Sequence, residues 1–180
     1  PSRAECMVCH SRAANYVLGL CELQMNRQQD YGESSGNQLQ TLSDLGYFTK
    51  PLPKPVEQLS RLVDPLDDQQ DLALRARSYL HANCAGCHVE AGGGNSQFSA
   101  EFTATIEQQK LIGARPVHST FDLPDPALVK PGHPESSVLL HRVATRGPGQ
   151  MPPLASSVRD ERGMLLLKQW INGLTTEPAP

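Results

Sequence analysis

The clearest helical rhythm in the chain lies in Asp71–Asn83, where the apolar positions Leu72, Ala76, Tyr79 and Leu80 recur at helical spacing. Asp67, Asp68 and Asp71 sit at its N-terminal end, where the helix dipole favours negative charge. A second stripe, Met164, Leu167, Trp170, Ile171 and Leu174, predicts a helix over Asp160–Asn172 with Gly173 as its C-terminal stop. Pro134–Thr145 predicts a third, since proline is tolerated at the first helical position, where its missing N–H costs nothing. A shorter helical turn is expected over Thr105–Ile112, and Asn15–Met25 also looks helical. Gly92-Gly93-Gly94-Asn95 reads as a loop, and Lys50-Pro51-Leu52-Pro53-Lys54-Pro55 as an extended, semi-rigid connection. No alternating pattern of useful length predicts a strand, so the fold class is mainly α. A boundary near Asp64 divides the chain into 1–63 and 64–180.

Composition changes this picture in one respect. Only 38% of the 180 residues are hydrophobic and 5% aromatic, and the mean hydropathy is −0.40. That is thin material for two cores, so something besides side chains is expected to help fill the interior. A net charge of −3 gives no electrostatic case for nucleic acid or an anionic membrane. No apolar run approaches the roughly 18 residues of a membrane span. The chain opens on Pro1 without a signal peptide and closes on Thr175-Thr176-Glu177-Pro178-Ala179-Pro180, which reads as the start of a linker. Both features suggest a mature or excised piece of something longer.

The cysteines carry the chemistry. Cys6-Met7-Val8-Cys9-His10 and Cys84-Ala85-Gly86-Cys87-His88 are two complete Cys-x-x-Cys-His motifs. With five Cys and six His in the chain, one such motif is expected by chance about 0.005 times. The spacing has a chemical reason. Two thiols three positions apart on a tight turn can form thioethers to the two vinyl groups of one haem, and the adjacent histidine then becomes the proximal iron ligand. Cys6, Cys9, Cys84 and Cys87 are thus candidate haem-attachment residues, and His10 and His88 candidate iron ligands. A porphyrin would also supply the missing interior. The rival readings are a thioredoxin-like redox pair, which lacks its βαβ context; a four-thiolate zinc site, which leaves both histidines without a role; and structural disulfides within each motif, which would close strained two-residue loops. Cys21, surrounded in sequence by Val17, Leu18, Leu20 and Leu23, is expected to be a buried free thiol.

The order of parts resembles the class I cytochrome c fold: a helix leading into a haem motif, a C-terminal helix crossing it, and a methionine loop between. Here that loop is Arg146-Gly147-Pro148-Gly149-Gln150-Met151-Pro152-Pro153. Its glycines and prolines force a non-helical path, and Met151, 63 positions after His88, is expected to be the distal ligand of the second haem. The stretches Glu5–His10, Leu18–Asn26, Arg75–His88 and Leu128–Pro153 also look like the dihaem cytochrome c modules at the end of large secreted bacterial proteins. Several of those carry a quinoprotein-type sugar dehydrogenase or a carbohydrate-binding part upstream. The resemblance implies a class I cytochrome c-like domain preceded by a smaller haem-binding helical segment, and an electron-relay role.

The first haem is less orderly. Only five residues precede Cys6, so the usual leading helix is missing or cut away. Met25 is the nearby candidate for its sixth ligand, with His81 and His118 as rivals. A continuous helix from His10 to Met25 would run about 22 Å at ~1.5 Å per residue, so the chain must turn, and Gly19 is the candidate break. With His and Met on both axial sites, the iron has no open position, which suits electron transfer rather than catalysis. The expectation is an electron-transfer protein carrying two covalent haems c. It would relay single electrons between a redox enzyme domain or partner and an external acceptor, in the periplasm or outside the cell, without itself being an enzyme. The alternatives are a dihaem cytochrome c peroxidase-like enzyme, with an open sixth site on the first haem, and a redox- or ligand-sensing module.

Overall fold

A computed structural model describes residues 1–175; the linker reading of the tail falls on 176–180, outside the described residues. Among the described residues, every regular element longer than three residues is a helix.

The core is built where the two strongest stripes meet. Helix α4 (Leu72–Cys84) packs against α7 (Glu161–Gly173), and α6 (Val138–Ala144) packs on α7. Ala76, Tyr79, Leu80, Leu139, Val143, Leu166, Leu167, Trp170 and Ile171 share one buried cluster. Both long helices are capped by the aspartate before them: Asp71 accepts the Leu74 N–H at 2.9 Å and Asp160 the Gly163 N–H at 2.9 Å, which satisfies donors that a helix start leaves free. Tyr79 meets α7 at Gly163, where any side chain would run into its ring. Burial, and next the Asp160 carboxylate, push the Tyr79 phenol far above its usual range.

Pro134–Thr145 is not one helix. Pro134–Ser136 is a 3₁₀ turn, and Ser137 is extended before α6 begins. The hydroxyl of Ser137 donates to the His133 carbonyl and accepts the Lys130 N–H, both at 2.9 Å. Those bonds compete with the helical path. The turn expected over Thr105–Ile112 is shorter too. Helix α5 (Ile106–Gln109) starts at a Thr105–Gln108 capping box and ends at Lys110, whose φ is +48°.

The N-terminal part departs further from expectation. A leading helix is present: α1 (Arg3–Cys9) starts at a Ser2–Glu5 capping box and runs into the first motif. Asn15–Met25 is not a helix but a set of turns ending in α2 (Glu22–Met25). Asn15, Tyr16 and Leu20 all have φ above +50°, so the break spans 15–20 rather than Gly19 alone. Cys21 is half-buried, not buried, because Val17, Leu18 and Leu20 point outward. A small antiparallel hairpin, β1 (Gln28–Asp30) with β2 (Ser35–Asn37), precedes α3 (Gln38–Asp44).

This part is held together by a buried amide. Asn26, 1% exposed, donates to the carbonyls of Val56 (2.9 Å) and Leu59 (3.1 Å) and accepts from Asn37 Nδ2 (2.7 Å). From there the chain bridges the division at Asp64: the Leu62 N–H donates to the Leu23 carbonyl and the Val63 N–H to Ser78 on α4, both at 3.0 Å. Asn26→Leu keeps the volume but strands those carbonyls. It is expected to cost about 1–3 kcal/mol, read as a lower urea midpoint at unchanged slope.

Candidate functional site

Helix α4 delivers the second motif. Cys84 is its last residue, the next turn is closed by His88 N–H to the Cys84 carbonyl (2.8 Å), and the Gly94 N–H returns to the Cys87 carbonyl (2.9 Å). His88 is buried, its ring stacked on Phe98 with centroids 4.1 Å apart. Burial pushes its imidazole pKa down, toward the neutral form that binds metals. Its Nδ1 is buried without a hydrogen-bond partner.

Cys84, Cys87, His88 and Met151 line a single cavity of about 280 Å³. Its walls include Tyr79, Phe98, Leu111, Leu128, Leu139 and Val143, with Arg142 and Arg146 also facing it. Met151 comes to it through a loop with left-handed glycines, Gly147 (φ +101°) and Gly149 (φ +88°). The Gln150 amide closes that loop by donating to the carbonyls of Pro152 and Ser156, both at 3.0 Å. The sulfurs of Cys84 and Cys87, the His88 imidazole and the Met151 thioether around a largely apolar cavity are the atom types that hold a covalently attached porphyrin. Burial pushes the Cys84 thiol up to about 12. Among the described residues no three His, Cys, Asp or Glu side chains gather as a metal-ion site.

The first motif is at the surface. His10 ends α1 and is exposed, with Nδ1 2.8 Å from the Tyr16 carbonyl. A carbonyl only accepts, so Nδ1 carries the proton and Nε2 is left for a metal, as is usual for a ligating histidine whose other nitrogen is held by a carbonyl. The turn that brings this carbonyl back uses Asn15 (φ +54°) and Tyr16 (φ +63°), a region bulky residues rarely occupy. Met7, Val8, Tyr16, Val17, Leu18 and Leu20, all near this motif in sequence, are between 38% and 75% exposed. That is much apolar surface for 14 residues, and a porphyrin face is one thing that could cover it.

Met25 is half-buried at the end of α2, and the His88–Met151 cavity includes neither it nor His10. Of the rival ligands, His118 lies in the wall of that same cavity with Nε2 3.1 Å from the Asn95 carbonyl. His81 Nδ1 accepts the Phe102 N–H at 3.2 Å.

The two motifs touch. Cys9 and Cys87 are disulfide-bonded with Cα atoms 4.6 Å apart, Gly93 is packed against the Val8 carbonyl, and Gly86 lies beneath Leu18. Cys6, Cys21 and Cys84 are free thiols. No spacing rule pointed to this cross-motif pair. Disulfide and thioether are alternative fates of the same sulfurs, because a sulfur already bonded to sulfur has no thiol to add to a vinyl group.

No family model matches the chain, and no curated protein or solved structure matches it. Among the described residues no helix is long and apolar enough to cross a membrane.

Proposed function

We propose that this chain is an electron-transfer protein holding two covalent haems c, one on Cys6, Cys9 and His10 and one on Cys84, Cys87 and His88. The observation that carries the reading is the shared cavity, into which the fold brings Met151 beside a motif 63 residues earlier. When bound, haem supplies an iron that changes by one electron. The residues of the chain do the rest. Cys84 and Cys87 would anchor the cofactor without a large core, His88 and Met151 would supply the ligands to its iron, and the apolar walls would exclude water. A soft thioether favours the ferrous state and raises the potential. With Cys9 and Cys87 reduced to thiols and joined to haem in place of their disulfide, the packing of Val8 on Gly93 and of Leu18 on Gly86 supports a short haem-to-haem path. The resemblance noted in the sequence supports a redox enzyme domain or partner on one side, an external acceptor on the other, and a location in the periplasm or outside the cell.

The exposure of His10 favours one second reading: a peroxidase-like enzyme with an open sixth site on the first haem. Two measurements separate them. Intact mass should exceed the polypeptide by two haems; a single added haem would leave a monohaem cytochrome, and none would sink the reading. The reduced protein should give an unchanged spectrum under carbon monoxide, whereas peroxide turnover above ~1 s⁻¹ would establish the enzyme.

A further inference from the structure

The Met151 loop lacks regular structure, so its shape depends on what its backbone groups bond to. Arg142 on α6 holds it twice. Its main-chain carbonyl accepts the Met151 N–H at 3.0 Å, and its guanidinium donates through Nη1 to the Gly149 carbonyl at 3.0 Å. The guanidinium is itself fixed over the Phe121 ring, 4.6 Å from the centroid, and that ring lies tilted against His141 with centroids 4.5 Å apart. The loop presses on the same ring: a Cβ at Gly149 would lie 2.8 Å from Phe121 Cε1. Arg142, half-buried, also faces the cavity that holds His88 and Met151. A solvated helix-face arginine would be engaged at neither end.

We propose that Arg142 is the positioning residue for Met151: by bridging α6 to the Gly149 carbonyl, it keeps the thioether at the cavity wall and sets how easily another ligand displaces it. The inference rests on the electron-transfer reading above. The main-chain bond to Met151 survives any substitution at 142, so the side chain's share can be isolated.

The test is an imidazole titration of the ferric dihaem protein, followed at the sulfur-to-iron charge-transfer band that Met151→Ala removes. Wild-type mass is read first. If Cys84 and Cys87 carry no haem, the cytochrome reading fails and takes this inference with it; if they carry one, the variants decide the inference alone. Arg142→Gln is expected to raise imidazole affinity at that haem by about tenfold or more, the scale of a lost charged hydrogen bond, and to lower its potential. Arg142→Lys should fall between it and wild type. Phe121→Leu, which removes the plane under the guanidinium, should move both quantities the same way by less, and it decides the matter if Arg142→Gln does not fold. Affinities within about twofold of wild type, well under one hydrogen bond's worth, would overturn the proposal. So would a shifted potential with unchanged affinity, the signature of an arginine acting only through its charge.

Discussion

Truncating Trp170 to alanine is expected to lower stability by about 3–5 kcal/mol, the usual cost of emptying a large buried aromatic site. Trp170 is 5% exposed, and Leu166, Leu167 and Ile171 around it on α7 are at 2% or below. These residues share a cluster with Tyr79 and Leu80 of α4, so the cavity would open at the crossing of the two longest helices. No other tryptophan exists in the chain, and a collapse of neighbours into the space is limited by the close seat of Tyr79 on Gly163. A denaturant titration followed by circular dichroism measures the loss. A change below about 1 kcal/mol, the scale of an ordinary surface substitution or less, would show that the helices do not meet there as described.

Met151→Ala is expected to abolish the sulfur-to-iron band of the second haem and lower its potential. It should also let the ferrous protein take up one carbon monoxide more than wild type. The effect is all-or-none because the thioether is removed, not weakened. Of the remaining methionines, Met7 and Met164 lie on helices and Met25 on α2, none of them lining this cavity. Secondary structure should change little, since the loop keeps its Arg142 and Gln150 bonds. An unchanged spectrum would move the sixth ligand elsewhere, with His118 in the same wall as the first residue to test.

Periodicity made α4 and α7 legible because each buries one face against the other, and a buried face must repeat every turn. The glycines and prolines around Met151 were legible as a forced loop, and the structure puts that methionine in the wall of the cavity that His88 also lines. Helix α1 has a readable trace, since Ser2 and Glu5 stand at capping-box spacing. The hairpin at 28–37 had no trace, since Gln28, Gln29, Asp30, Ser35, Gly36 and Asn37 carry no alternation and pair through main chain alone. Asn26 was equally silent: no local pattern says that an amide will be buried when its partners lie 30 and 33 residues away. Ser137 shows the opposite case, a continuous helical pattern interrupted where one hydroxyl bonds the main chain at Lys130 and His133.

The contact of Val8 with Gly93 and of Leu18 with Gly86 has a consequence for the order in which the molecule assembles. The sequence separation between the touching motifs is 78 residues, so during synthesis or export the first motif emerges long before its seat exists. Until the second motif follows, α1 has only its own capping box to hold it, and a helix of seven residues is marginal alone. The first Cys-x-x-Cys-His is therefore an accessible, locally mobile peptide for as long as the chain takes to reach residue 94. The second is carried by α4, whose own packing partner α7 (Glu161–Gly173) comes later still. Long-range closure of this kind raises contact order and slows folding.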